Sequence, residues 1–305
     1  MYLNWIARNI NRNRVSKLLR IMASCRPVTL AFKVFEASQD VERNNPIIFL
    51  HGIGSCKENW NDIPQKVAEA THRRVYTVDA RNHGDSDWSD EFNLDLNAVD
   101  LIHFIEQIAA EKVTIVGHSM GGITSMKTAL KIPAKVDKII IEDFGVLVNK
   151  DFLNFAKLVF SLHEQAILNM PKVSTEQEAA KFLSDFMYER VPDDVKPHIR
   201  KAEGKNSNFL NQNSDGSISH SSNLKVLRKS LENEDTLISK YEGVFDGPSY
   251  FIYGKKSMIH VNDEAEIIKK HFPKAQFVGI DSAAHYIHAD APILFFNALL
   301  KFLKE

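Results

Sequence analysis

The sequence has little cysteine, and this excludes a disulfide scaffold. Only Cys25 and Cys56 occur among the 305 residues, and their neighbours show no CxxC or metal-type spacing. The chain is therefore compatible with a reducing compartment, and no structural zinc site is expected from its cysteines.

Long apolar runs and an excess of charge are also absent. No stretch of about 18 apolar residues occurs, which argues against a membrane-spanning helix. The formal net charge is −1 and no basic stripe crosses the body of the chain, so nothing predicts a nucleic-acid partner. A hydrophobic content of 44% is typical of a globular protein with a buried core. The expected partner is a small molecule, and the sequence identifies no protein partner.

Acidic residues are missing from the first part of the chain, between Met1 and Phe35. Apolar residues are interspersed there at loosely helical spacing, without the continuous apolar core of a secretory signal. We therefore predict that residues 1–27 are a transit peptide for the mitochondrial matrix. A disordered basic arm or a surface helix is the alternative. The basic residues of this part are Arg8, Arg12, Arg14, Lys17, Arg20, Arg26 and Lys33.

From about residue 28, short apolar runs alternate with helical patterns, which is typical of a mostly parallel, doubly wound α/β sheet. The predicted strands are Thr29–Phe35, Pro46–Leu50, Val75–Val78, Val113–Val116, Val136–Ile141, Ser249–Tyr253 and Gln276–Ile280. The predicted helices are Lys57–Ala70, Leu94–Ala110, Met120–Lys131, Glu264–Lys270 and Ile293–Leu303.

The alternation stops between about Asn149 and Asp246. Helical patterns at Phe152–Leu168 and Glu176–Tyr188 are followed by Glu203–Ser222, which is rich in Asn, Ser and Gly and is predicted to be a loop. The simplest organisation is a core of residues 28–148 and 248–305, interrupted by a helical cap of residues 149–247. Such a cap lies over the carboxyl ends of the strands, where open α/β sheets bind ligands.

The pentapeptide Gly117-His118-Ser119-Met120-Gly121 stands between an apolar strand and a helical pattern. That placement is required of the nucleophile elbow of α/β hydrolases, in which the serine lies on a strained turn. Ser119 is therefore the predicted nucleophile. A strand-to-helix turn without chemistry is the alternative.

Acyl transfer needs two N–H donors aimed at the oxyanion. In this topology one is the backbone N–H after the nucleophile, Met120, and the other comes from the loop after the strand that ends at Leu50. We assign the second donor to the N–H of Ile53. The neighbouring His51 is expected to shape the loop, and direct proton transfer by His51 is the alternative.

The general base is expected on a loop after the last strand. His285 occupies that position, and His288 is the reserve candidate, with structural hydrogen bonding as its expected role. The two histidines are spaced like metal ligands, but no third ligand cluster is nearby, so no metal is predicted.

The acid that orients the histidine is the open question. In most proteins with this fold it lies shortly after the glycine that closes the seventh strand, but Gly254 is followed here by Lys255, Lys256 and Ser257. Asp143, at the end of the neighbouring strand, is the favoured candidate, and a turn-capping role is its alternative. The other possibilities are a missing acid or one of Asp263, Glu142 and Asp246.

The stretch from Asp79 to Ser86 contains a histidine and two carboxylates but is expected to be a structural turn. Arg81 is predicted to pair with Asp79, and Gly84 permits the bend. No catalytic role is assigned to it.

Several motifs resemble the family of alpha/beta-hydrolase domain-containing protein 11 and its bacterial esterase relatives, over about residues 28–303. They are His51–Ile53, Val78–Ser86, Gly117–Gly122, and Gly254–Ser257 together with His285–Asp290. The resemblance implies an α/β-hydrolase fold with a helical cap inserted after the sixth strand, and hydrolysis of short-chain or lipid-like esters and thioesters without a cofactor. In that family the acid follows the sixth strand and a serine occupies the seventh-strand position, which supports Asp143 and makes Ser257 an accessory residue. Its animal members are mitochondrial.

The sequence departs from the family pattern in several places, two of which lie in the predicted site loops. The loop glycine at Gly54 is shifted forward, and Ala284 stands where a glycine usually precedes the histidine.

Together the motifs predict a serine hydrolase with a Ser-His-Asp triad and an acyl-enzyme intermediate. The serine argues against epoxide hydrolases and dehalogenases, which use an aspartate nucleophile, while a cofactor-free haloperoxidase activity would use the same triad. The rival from another class is a binding scaffold with little turnover. Apolar residues of the cap offer a face that could line an acyl pocket. The alternative is that they only pack the cap onto the core. These residues are Phe152, Phe155, Phe160, Phe182, Phe186 and Met187.

Overall fold

The computed structural model describes residues 26–39, 41–147, 150–172, 175–193, 195–196, 209–232 and 240–305. The predicted leader, residues 1–27, lies outside these residues except for its last two. Within the described ranges, every helix is too short or too polar to cross a bilayer.

A seven-stranded sheet forms the centre of the molecule, with strand order β1-β3-β2-β4-β5-β8-β9. Strand β1 pairs antiparallel with β3, and the other pairings are parallel. The predicted fold class, a mostly parallel doubly wound sheet, is confirmed. The strands are β1 Phe32–Phe35, β2 Glu42–Leu50, β3 Arg73–Val78, β4 Val113–His118, β5 Val136–Glu142, β8 Ser249–Gly254 and β9 Ala275–Ile280.

Helices cover both faces of this sheet because successive side chains of its strands point to opposite sides. Ile48 and Leu50 of β2 belong to one buried apolar cluster, whereas Ile47 and Phe49 belong to a second cluster on the other face. The core helices are α1 Ile63–Thr71, α2 Leu94–Gln107, α3 Met120–Lys131, α7 Ala265–His271, α8 Ile287–Asp290 and α9 Pro292–Lys304.

One predicted helix, Lys57–Ala70, is divided in the structure. A 3-10 turn spans Lys57–Trp60, and α1 begins only at Ile63. The break lies at Asn61, whose φ of 51° is in the left-handed region and cannot continue a right-handed helix. Pro64 then occupies the first turn of α1, where a missing N–H costs nothing.

The insertion follows β5. This strand corresponds to the sixth strand of the family that the motifs resemble. It contains helices α4 Lys150–Leu168, α5 Glu176–Arg190 and α6 Leu224–Glu232. A separate apolar cluster, which includes Leu162 and Leu183, joins α4 to α5. The limits of the cap, residues 149–247, stay a prediction.

The predicted loop at Glu203–Ser222 is wrong for its described part. Strand β6, Leu210–Gln212, pairs antiparallel with β7, Ile218–His220. The Asp215-Gly216 turn joins them, with Gly216 at a φ of 78°. Three-residue strands are too short to show an alternating pattern, so the sequence did not predict them.

Candidate active site

The carboxyl ends of neighbouring parallel strands meet at one edge of the sheet. Leu50 of β2 lies opposite Gly117 of β4, and Glu142 of β5 lies opposite both His118 and Ile252. The loops that follow these strands therefore converge at the edge where open α/β sheets bind ligands.

Ser119 lies on a sharp strand-to-helix turn between β4 and α3. Its φ of 52° and ψ of −115° are outside the regions that residues other than glycine favour. Its N–H donates to the carbonyl of Glu142 at 3.0 Å, and its own carbonyl accepts from the N–H of Ile123 at 3.1 Å. The serine is 2% exposed. This is the backbone geometry that a nucleophile elbow requires.

Close packing explains the two glycines of the pentapeptide. A β-carbon at Gly117 would overlap the backbone of Gly121, and a β-carbon at Gly121 would overlap the carbonyl of Leu50. The first turn of α3 can therefore lie directly against the end of β2 only because these positions have no side chain.

The loop after β2 lies beside the serine. A β-carbon on Gly52 would be 3.4 Å from Cβ of Ser119. The N–H of Ser55 donates to the carbonyl of Gly52 at 3.2 Å, which closes a turn with Gly54 in third position at a φ of 76°. A positive φ at that position favours glycine, so the forward-shifted Gly54 supplies the backbone conformation that this turn needs. The turn contains Ile53, and Met120 follows Ser119 directly, so both predicted donors belong to segments that border the serine.

Asp143 follows β5 and contacts His285. Its Oδ2 is 2.8 Å from Nδ1 of His285 and accepts the hydroxyl of Ser257 at 2.5 Å, and its Oδ1 accepts the N–H of Gly254 at 2.9 Å. The Asp143 side chain is fully buried, whereas that of His285 is 14% exposed. Asp143, Ser257 and His285, which were predicted in three separate segments, are thus brought together.

The rejected candidate acids lie elsewhere. Asp246 and Asp263 are exposed, the latter in the 3-10 turn Val261–Glu264. Glu142 is buried, but its Oε1 accepts from the backbone N–H of His288 at 2.7 Å and lies 2.8 Å from the Nδ1 of that residue. Asp143 is therefore the candidate acid that contacts His285.

The pair formed by Glu142 and His288 is a second carboxylate–histidine contact. Nε2 of His288 is 3.2 Å from Nδ2 of Asn59, so both ring nitrogens have partners and the ring is held as a structural element. Burial raises the pKa of Glu142 to about 7. Sequence reasoning missed this contact, although two adjacent acids after β5 and two histidines three residues apart were a signal for it.

His118, inside the pentapeptide, lies between the two histidines. Its ring centroid is 4.7 Å from that of His285 and 5.2 Å from that of His288. Its Nε2 is 3.0 Å from the carbonyl of His285 and donates a hydrogen bond to that oxygen. Burial lowers the pKa of His118 to about 3, so the ring is neutral. It therefore fixes the backbone that carries His285.

The insertion reaches this site through α4. The ring of Phe152 is 5.2 Å from that of His285 and 5.8 Å from that of Phe144, edge to face in both cases. Phe155 lies next to Phe152, at 6.4 Å between rings. Three other predicted pocket residues, Phe182, Phe186 and Met187, instead belong to the apolar cluster inside the insertion.

The Asp79–Ser86 stretch forms a bend, but its predicted ion pair is wrong. Arg81 pairs with Asp100 of α2, with Nε and Oδ2 at 2.6 Å. Asp79 instead accepts from Nζ of Lys57 at 2.7 Å. The two side chains therefore have partners on different elements, Arg81 on α2 and Asp79 on the 3-10 turn Lys57–Trp60.

One group of side chains has the donor types of a cation site. The sulfur of Cys56 and carboxylate oxygens of Glu58 and Asp79 lie within 4.8 Å of one another. Nζ of Lys57 is 2.7 Å from Asp79 and 3.3 Å from Glu58, so an ammonium group already balances these charges. Burial raises the pKa of the Cys56 thiol, which opposes metal binding as thiolate. We assign no metal to this group.

Comparison with known proteins decides the family. Residues 45–292 match the model of the alpha/beta hydrolase fold. The chain belongs to the α/β-hydrolase family. The match covers both parts of the core and the insertion between them, and the predicted resemblance is confirmed.

Individual relatives agree with this family. The chain is 30% identical to the sn-1-specific diacylglycerol lipase ABHD11 of Danio rerio, over 93% of this chain and 85% of the relative. It is 27% identical to ethanol acetyltransferase 1 of Cyberlindnera fabianii, over 82% of this chain and 77% of the relative. Among solved structures, a marine microorganism esterase superposes with a TM-score of 0.72 at 26% identity, covering 90% of this chain and 99% of the esterase.

Proposed function

We propose that this protein is a serine hydrolase that cleaves carboxylic ester or thioester bonds through an acyl-enzyme. The observation that supports this most strongly is the 2.8 Å contact between Asp143 and His285, at the same sheet edge as the strained turn of Ser119. Relatives named lipase and esterase support the same class of reaction.

In the proposed acylation step, Asp143 fixes the tautomer of His285. A carboxylate oxygen can only accept a hydrogen bond from the ring, so Nδ1 of His285 carries the proton. Nε2 is then unprotonated and acts as the base. The hydroxyl oxygen of Ser119 forms a bond to the acyl carbon as His285 takes its proton. The N–H groups of Ile53 and Met120 stabilise the oxyanion. His285 then returns the proton to the leaving alcohol or thiol as its bond to carbon breaks.

In the second step, water attacks the acyl-enzyme. His285 removes one proton of the water and delivers it to the oxygen of Ser119 as the acid leaves, so the enzyme is regenerated without cofactor or metal. Ser257 assists by donating its hydroxyl to the carboxylate of Asp143.

The proposed substrates are esters or thioesters with an apolar, short-chain or lipid-like acyl group. Phe152 borders His285, so the acyl chain meets an aromatic wall supplied by the insertion. We also propose residues 149–247 as a cap, residues 28–148 and 248–305 as the core, and residues 1–27 as a mitochondrial leader. The acid-free basic composition of the first segment supports the leader.

A chain-length series tests the proposal. Purified protein is assayed against p-nitrophenyl esters and acyl-coenzyme A thioesters of increasing length, with Ser119→Ala as the matched variant. We expect turnover that Ser119→Ala abolishes. Tight binding with negligible turnover in the unmodified protein would support a binding scaffold instead. Adding ethanol to the assay measures whether an alcohol competes with water for the acyl group, as the acetyltransferase relative suggests.

A further inference from the structure

His83 contacts the loop beside Ser119, although it belongs to the stretch given only a structural role above. The backbone N–H of Gly54 donates to Nε2 of His83 at 2.9 Å. His83 is completely buried. The hydrogen bond therefore joins the bend after β3 to the turn that contains Ile53.

The tautomer of His83 follows from its second contact. Nδ1 lies 2.7 Å from the carbonyl of Arg81, and a carbonyl oxygen only accepts, so Nδ1 carries the proton. Nε2 is then an acceptor with a free lone pair, as the N–H of Gly54 requires. Burial, with the neighbouring His51 as a smaller cause, lowers the pKa of His83 to about 3, so the acceptor persists at neutral pH.

His51 holds the opposite end of the same turn. Its Nδ1 lies 2.7 Å from the carbonyl of Gly52, and its Nε2 accepts from the N–H of Ala80 at 3.0 Å. The two imidazoles are 5.1 Å apart. Gly52 and Gly54, the residues on either side of Ile53, are therefore each bonded to a buried histidine.

The insertion contacts this turn as well. A β-carbon on Gly54 would be 2.8 Å from Cζ of Phe160 in α4, so the phenyl ring lies directly on the glycine. The bend that includes His83 is in turn bonded to the segment after β7, because the N–H of Gly84 donates to the carbonyl of Ser221 at 2.8 Å. The turn that contains Ile53 is thus held by two contacts. One is the hydrogen bond from Gly54 to His83 of the core, and the other is the Phe160 ring of the insertion.

We propose that His83 is a positioning residue for the oxyanion loop, because its ring nitrogen holds Gly54 and thereby orients the N–H of Ile53. The inference rests on the proposed function, in which that N–H stabilises the oxyanion. Removing the acceptor leaves the N–H of Gly54 without this bond and frees the turn. One oxyanion donor is worth about a hundredfold in turnover, so a misdirected donor is expected to cost roughly tenfold to a hundredfold.

The test compares His83→Leu, which removes the acceptor, with His83→Gln, whose side-chain oxygen restores one. We expect His83→Leu to lower kcat roughly tenfold to a hundredfold with little change in KM, and His83→Gln to recover most of the loss. Binding of an alkyl trifluoromethyl ketone, which forms an oxyanion on addition to a serine, is expected to weaken in parallel with kcat/KM. His271→Leu is the control. His271 also contacts a backbone carbonyl, that of Gly243, but it lies at the end of helix α7 and not beside the oxyanion loop.

The results separate this inference from the proposed function. Full activity of His83→Leu, or equal losses in His83→Leu and His83→Gln that follow melting temperature alone, would overturn the positioning role. Failure of the proposed function would instead appear as turnover that survives Ser119→Ala. If His83→Leu does not fold, nitrogen-15 spectra of the unaltered protein decide: the Nδ1–H tautomer supports the inference, and the Nε2–H tautomer refutes it.

Discussion

Two carboxylate–histidine pairs lie side by side at the end of β5, and they differ in surroundings more than in chemistry. Asp143 contacts His285 at 2.8 Å, and Glu142 contacts His288 at the same distance. The His285 side chain is 14% exposed and faces Phe152 of the insertion, whereas that of His288 is 2% exposed and is bonded to Asn59. The second ring nitrogen of His288 is held by Asn59, whereas the proposed mechanism assigns the second ring nitrogen of His285 to proton transfer with the substrate.

The largest expected difference between the two pairs is in turnover. Asp143→Asn is expected to lower kcat about ten-thousand-fold, by analogy with the serine-protease triad, because the amide no longer selects the productive tautomer. Steady-state ester hydrolysis measures it, with Asp263→Asn as the matched control at an exposed carboxylate. Equal activity of these two variants would show that Asp143 is not the acid.

A smaller effect is expected at Ser257. The Ser257→Ala variant loses a hydrogen bond to the charged carboxylate of Asp143, a contact worth roughly 1.5–3 kcal/mol, and leaves the bonds of that carboxylate to Gly254 and His285. We expect kcat to fall roughly tenfold to a hundredfold, measured in the same assay. A loss as large as that of Asp143→Asn would mean that Ser257 is essential rather than accessory.

The smallest effect on turnover is expected at Glu142, where the change is in stability instead. The Glu142→Gln variant keeps an oxygen that can accept from His288, so kcat is expected to stay within a few-fold of that of the unmodified protein. Burial raises the pKa of Glu142 from 4.5 to about 7 in the folded state. Between these pH values the folded protein binds more protons at this residue than the unfolded chain, so the contribution of Glu142 to stability falls as pH rises.

Urea unfolding at several pH values checks this sign. The stability difference between the unmodified protein and Glu142→Gln is expected to change from about pH 4.5 to about pH 7 and to level off above that range. A difference that is constant with pH would contradict the raised pKa.

Much of the framework was predictable because strand and helix periods are local properties. Helix α3 has the predicted limits, Met120–Lys131, and the buried strands agree within a few residues. The short hairpin of β6 and β7 was not predictable, since three residues are too few for a pattern.

Contacts between distant segments were harder to predict than the segments themselves. The position of Asp143 at a strand end allowed the right neighbourhood to be named, because parallel strands share one edge. The partners of Arg81 and the pairing of Glu142 with His288 depend on how loops fold back, which no spacing encodes. His83 was dismissed for the same reason, since its contact with Gly54 joins loops 29 residues apart.

Covalent labelling tests the predicted nucleophile, Ser119, most directly. The protein is treated with a fluorophosphonate probe, digested, and mapped by mass spectrometry, with Ser119→Ala treated in parallel. We expect one adduct, on Ser119, and its loss in the variant. Labelling that is unchanged in Ser119→Ala would contradict it.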